Sequence, residues 1–188
     1  MDNYSVTITP DHTAPAAEPP APATGFRTER LQLDPLSPAE LDALIIQSRL
    51  SDWAPDFPQP TDHDAAQQFF ETGLNISGAL TTRLIREQAT AQVIGTIGFL
   101  LLPEEGDAEV SYSVVPSRRG QGYATEALIA MARRALEQEN VSRVVAYTEV
   151  ENESSQSLLL TAGFLPVETP GLGLGFALSA AQLPELSL

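Results

Sequence analysis

The stretch "PSRRGQGYATEAL", Pro116 to Leu128, constrains this chain more than any other. It follows a run with strand character, "DAEVSYSVV", and leads into a helical pattern. Two glycines and two arginines therefore stand at a strand-to-helix turn. Gly120 and Gly122 can take left-handed backbone angles, and the helix after them presents unpaired N–H groups at the positive end of its dipole. Such a turn is suited to an anion. A nucleotide P-loop needs Lys and then Ser or Thr after its second glycine, whereas Tyr123 and Ala124 follow here. A dinucleotide fingerprint fits poorly too, because Thr125 takes the third glycine position and the turn lies past mid-chain. A tight turn without a ligand leaves Arg118 and Arg119 unexplained in an otherwise acidic protein.

That acidity narrows the partners. The net charge is −15 and all ten positive residues are arginine, a poor match to nucleic acid, whose binding rests on phosphate neutralisation. A solvated acidic surface is the ordinary reading, and attraction of a cationic substrate into an acidic cleft is the sharper one. With no cysteine there are no disulfides, thiolate metal sites or cysteine nucleophiles. His12 and His63 stand apart, so no metal is expected. No stretch approaches the about 18 apolar residues of a membrane span, and the start lacks a basic region followed by an apolar run. The expectation is a cytoplasmic monomer or homodimer without membrane contact.

Residues 1–24, rich in Pro and Ala, read as a flexible tail, although "YSVTIT" has strand propensity. Residues 25–188 read as one domain. "FRTERLQLDPL" is expected as a single strand. "SPAELDALIIQSRL" follows as a helix with a Ser cap, Pro at its first position and Glu three past the cap. After the proline-punctuated loop "SDWAPDFPQP", a second helix is expected from Thr61 to about Gly73. Three strands ("ALTTRLIRE", "AQVIGTIGFLLL", "DAEVSYSVV") lead to the Gly-rich turn. The helix after it carries Ala124, Leu128, Met131, Ala132 and Ala135 on one stripe. "VSRVVAYTEV" is a strand, "NESSQSLLLTAGF" a short helix and "LGLGFALS" a weak last strand. This succession of strands and helices, without an internal repeat, implies a mixed α/β fold, one sheet with helices on both faces.

Together, "SYSVVPSRRGQGYATEAL" and "ENESSQSLLLTAGF" resemble the GNAT superfamily of acyl-CoA-dependent N-acetyltransferases. Arg119 to Ala124 match its Arg/Gln-x-x-Gly-x-Gly/Ala turn. Asn152, Ser155 and Gly163-Phe164 match its later element. "TERLQLDPLSPAELDAL" and "VIGTIGF" are similar to the branch containing the ribosomal-protein alanine acetyltransferases. The resemblance spans about Phe26 to Phe164. It implies a mostly antiparallel sheet splayed at the cofactor, acetyl-CoA as that cofactor, and transfer to a primary amine. The acceptor stays open between a protein N-terminus, a small amine and an amino sugar. A catalytically silent acyl-CoA-binding module is the alternative.

Read onto residues, the resemblance assigns the pyrophosphate to Arg118, Arg119, Gly120, Gln121, Gly122, Tyr123 and Ala124. The pantetheine arm falls to the backbone of Ser113, Val114 and Val115, with Val114 N–H as donor to the developing oxyanion. Asn152 and Ser155 complete the cofactor site. An ammonium cannot attack, so a base or a water chain must take its proton. Glu109 is the first candidate; alternation puts it on one strand face with Ser111 and Ser113, and a bulge usual in the family is expected in this strand. Glu149 and Glu151 come next, and Asp52, Asp56, Asp62 and Asp64 flank the loop of Trp53 and Phe57, read there as solvated acids or as lining for an amine. Many relatives place a thiolate-protonating Tyr where this chain has Leu159. Either Ser155, Tyr147 or water then takes that role, with Ser155 matching the ribosomal-protein branch, or the weakly basic thiolate is protonated unassisted.

Overall fold

The computed structural model describes residues 24–72, 80–101, 106–169 and 173–183. The tail expected at 1–24 lies outside them except for Thr24, as does the helix end expected at Gly73. The stretch expected as one strand is instead a hairpin, β1 (Phe26–Arg27) pairing antiparallel with β2 (Leu31–Pro35). Its reversal is held from far along the chain. Glu126 accepts from Thr28 Oγ1 at 2.5 Å, from Arg30 N at 2.8 Å and from Arg30 Nε at 2.7 Å.

Helix α1 (Pro38–Ile45) starts on the expected Ser37 cap. Glu40 N donates to Ser37 Oγ, and the Glu40 carboxylate accepts from Ser37 N, completing a capping box. The helix stops at Ile45 rather than near Leu50, and Gln47 just beyond it takes a positive φ of 56°. Ser37→Ala removes the side-chain half of the box and should lower unfolding free energy by about 1 kcal/mol, measured by urea denaturation. A change indistinguishable from zero would show that packing alone holds this helix start.

After α2 (Pro60–Thr72), strands β3 (Arg83–Glu87), β4 (Val93–Leu101) and β5 (Asp107–Val114) form an antiparallel meander. A 3-10 turn (Pro116–Arg118) and the glycine turn lead into α3 (Tyr123–Leu136). Strand β6 (Arg143–Thr148), α4 (Glu153–Thr161), β7 (Leu165–Val167) and β8 (Leu174–Ser179) complete the described elements. One sheet runs in the order β1-β2-β3-β4-β5-β6-β8-β7. Leu128, Met131, Ala132 and Ala135 of α3 are buried as expected, while Ala124 turns to the cleft described below. Trp53 and Phe57 are core residues, packed edge to face at 4.9 Å.

The site depends on one junction. Among the described residues β5 and β6 are the parallel pair, matched at Asp107↔Arg143, Ala108↔Val144 and Glu109↔Val145. Beyond Glu109 they part, β5 following β4 to Val114 and β6 following β8 to Thr148. The sheet opens there into a V. The bulge expected in β5 lies in β4, where Leu100 is the extra residue between the pairs Phe99↔Val110 and Leu101↔Glu109. Strand β5 therefore keeps its alternation throughout.

Candidate active site

The V holds a cleft of about 510 Å³, walled by β5, by Ala146 to Glu149 at the end of β6 and beyond, and by the starts of α3 and α4. At its α3 end lies the glycine turn. Gly120 and Gly122 take φ of 70° and 79°, the left-handed region that favours glycine. Gly122 is the N-cap of α3 and no side chain caps that helix start. A Cβ added at Gly120 would meet nothing within 4 Å. These features fit a bound diphosphate: an open cradle, a helix start uncapped by any side chain, and an arginine alongside.

Carboxylates fix the turn from behind. Asp56 accepts from Ser117 N and Ser117 Oγ, both at 2.9 Å. Glu87 accepts from Tyr123 Oη at 2.5 Å and from Arg118 Nε at 3.2 Å. Hydrogen bonds from Thr90 and Tyr123 hold the Glu87 carboxyl below its ordinary range despite its burial. Arg30 Nη1 donates to Gln121 O at 2.8 Å, and its guanidinium lies 4.6 Å from the Tyr123 ring centroid. Arg118 is thus engaged by Glu87. Arg119 donates through Nε to Val114 O at 2.9 Å and lines the cleft.

The backbone of β5 has one side in the sheet and one in the cleft. Val115 N–H donates to Ile94 O at 2.9 Å, so alternation turns the amides of Val115 and Ser113 toward β4. The amides of Val114 and Tyr112 face the opening. The edge offered to an extended ligand is therefore Tyr112 and Val114, a shift from the Ser113–Val115 set expected by resemblance.

Glu109 sits at the apex of the V, where pairing with β6 ends, and burial pushes its carboxyl up. Across the cleft, Asn152 Oδ1 accepts from Ser155 N at 3.1 Å, capping α4. Ser155 Oγ lies 2.9 Å from Tyr112 Oη, a partner that sequence reasoning missed. Burial raises the Tyr112 phenol, and the bond with Ser155 opposes that rise. Leu159 is fully buried in the core, and the cleft takes Ser154, Ser155 and Leu158 from this helix. Tyr147 and Glu149 line the opposite side; Glu151 does not.

None of the acids around the proline-punctuated loop lines the cleft, and the solvated reading fits Asp52 and Asp64 but not Asp56 and Asp62. Asp52 pairs with Arg86 at 2.8 Å, Asp56 is spent on Ser117, and Asp64 is exposed. Asp62 is buried, its carboxylate receiving Thr96 Oγ1 at 2.6 Å and the Ser113 hydroxyl. Nothing local in the sequence marks Glu87, Arg30 or Asp62 as supports of the site, because each acts on residues at least 30 positions away.

The acetyltransferase (GNAT) domain family matches residues 30–165. The uncharacterised N-acetyltransferase YjdG of Bacillus subtilis is 29% identical over 149 residues, covering 74% of this chain and 89% of that protein. A second relative, the uncharacterised N-acetyltransferase p20 of Bacillus licheniformis, is 33% identical over 92 residues, 48% of this chain and 52% of its own length. Among solved structures, a candidate ribosomal-protein-serine acetyltransferase from Vibrio cholerae has a TM-score of 0.61 at 24% identity, covering 84% of this chain and 98% of that one. The microcin C7 self-immunity acetyltransferase MccE, solved with acetyl-CoA and AMP, has a TM-score of 0.57 at 16% identity, over 81% and 93% of the two chains. At those identities the structural likeness speaks for the fold alone. No helix among the described residues is long and apolar enough to cross a membrane.

Proposed function

The chain belongs to the GNAT acetyltransferase family, and from that premise we propose that it moves the acetyl group of acetyl-CoA onto a primary amine, a protein N-terminus or a small amine, by direct attack. The observation that carries this reading is the V between β5 and β6, with the open glycine cradle at its end. When bound, acetyl-CoA supplies an activated thioester carbonyl. The α3 amides, Gly120, Gly122 and Arg119 hold the diphosphate. The Tyr112 and Val114 edge receives the pantetheine arm, and Val114 N–H stabilises charge on the carbonyl oxygen. Glu109 takes the ammonium proton, directly or through water, and burial raises its pKa above the ordinary carboxylate value, which makes it the stronger base. Ser155, bonded to Tyr112, donates toward the leaving sulfur. Arg118 acts through its pairing with Glu87, which fixes the turn.

The cleft has a polarity that bears on the acceptor. Arg119 stands at the turn, while Glu109 and Glu149 line other parts of the wall. That arrangement favours an acceptor that arrives as a cation. The test combines calorimetric titration of acetyl-CoA with thiol release across free amines and short peptides. Binding with turnover on at least one amine is the expected result. Binding without turnover on any amine would mark the silent module, and absence of binding would remove the reading altogether.

A further inference from the structure

Asp62 belongs to the first turn of α2 and is 1% exposed. Its Oδ2 accepts from Gln59 N at 2.8 Å, and its Oδ1 accepts from Thr96 Oγ1 at 2.6 Å and from Ser113 Oγ. An ionised carboxylate accepts only, so each hydroxyl beside it must donate. Ser113 has one O–H, and it is committed to Asp62. What Ser113 can show the cleft it lines is lone pairs. Anchoring the start of α2 accounts for the Gln59 bond, and tying α2 to β4 accounts for Thr96. Neither accounts for holding the hydroxyl of a cleft residue.

We propose that Asp62 and Ser113 form the seat of the attacking amine, Asp62 fixing the Ser113 hydroxyl so that its oxygen accepts an N–H of the acceptor. This rests on the acetyltransferase reading and deepens it. Ser113 precedes Val114, whose amide faces the opening, so an amine hung on Ser113 Oγ lies next to the carbonyl that Val114 would hold. With its N–H bound, the nitrogen lone pair points away from Ser113 and is available for attack. Glu109 lies four residues back on the same face, roughly 13 Å along the strand. At that separation Glu109 does not touch an amine held at Ser113, and the proton would have to travel along a chain of waters. Ser113 touches substrate in this arrangement, and Asp62 is a positioning residue that acts through it.

The experiment uses the full chain, acetyl-CoA, and two probes, an alanine-starting tripeptide and spermidine. Ser113→Ala should raise KM for the transferred amine by about tenfold, the size of one hydrogen bond, with acetyl-CoA Kd unchanged within about twofold. Ser113→Thr keeps the hydroxyl and should restore most of the affinity. Asp62→Asn keeps an oxygen for Gln59 N while its amide NH₂ donates to Ser113, turning the Ser113 hydrogen into the cleft. It should raise KM as Ser113→Ala does, and add nothing when combined with Ser113→Ala. Amine KM unchanged in Ser113→Ala overturns the seat, as does an Asp62→Asn penalty of equal size in both backgrounds. If Asp62→Asn does not fold, the Ala and Thr variants at Ser113 decide. Wild-type protein that binds acetyl-CoA but acetylates no amine overturns the parent reading instead, before any variant is made.

Discussion

Glu109→Gln is expected to leave acetyl-CoA affinity intact and to lower kcat/KM by roughly 10²–10⁴-fold, the usual size of a general-base contribution. The substitution keeps shape and hydrogen bonding and removes basicity. Burial raises the Glu109 pKa, so the carboxylate is the disfavoured form in the fold. Two pH signatures follow. In the wild type, activity should fall on the acid side above the ordinary carboxylate range, as Glu109 takes up its proton. In the variant that limb should be absent, and the deficit should shrink as pH rises toward the pKa of the acceptor, since more amine then arrives without its extra proton. The stability sign runs the other way. A carboxyl with a raised folded pKa favours the fold below its unfolded pKa, and that contribution is lost as pH rises through the folded value. Glu109→Gln should therefore be no less stable than wild type at neutral pH. Near wild-type turnover at neutral pH would move the proton to Glu149 or to bulk water.

Gly122→Glu should abolish detectable acetyl-CoA binding by calorimetry. At φ 79° any L-residue is strained by about 1–2 kcal/mol, and a Cβ would stand 3.4 Å from Arg30 Nη2. The new carboxylate also brings negative charge to the uncapped helix start, where the dipole favours an anionic ligand. Gly122→Ala separates the two causes, since it carries the strain without the charge. It should bind weakly where Gly122→Glu does not bind at all. Unchanged affinity in the Glu variant would remove this turn from the cofactor site.

What could be read in advance divides by the range of the interaction. The Ser37–Glu40 box, the glycine turn and the apolar stripe of α3 are written within a few residues each, and those expectations match the fold except at Ala124, which faces the cleft. The hairpin at Thr28–Arg30 was not legible, because the acid that holds it, Glu126, is 96 positions from Arg30. Asp62 looks like a solvated loop acid until Thr96 and Ser113 close over it. Which amides of β5 face the cleft follows from its register with β4, continuous from Gly95↔Val114 to Phe99↔Val110, and no signal within β5 sets that register. Alternation puts Tyr112 on the strand face opposite Glu109, yet its partner Ser155 lies on another element 43 residues on. Family resemblance could name Ser155, but not what holds it.

The V between β5 and β6 also changes how this sheet meets the danger common to all open sheets. Unpaired backbone at a sheet margin recruits strands from other chains, and proteins commonly shorten or shield such margins. Here the outer margins are short: β1 has two residues and β7 three. The splay creates two more margins in the middle of the sheet, along β5 past Glu109 and along β6 past Val145. Those inner margins are recessed between two halves of the molecule, where a pleated strand with side chains on both faces fits badly. A slender chain bearing amides and few branches fits well. On the proposed reading, the recessed margins that would take a pantetheine arm are also the ones where a further strand has least room to pair, so one feature of the fold would serve both ends.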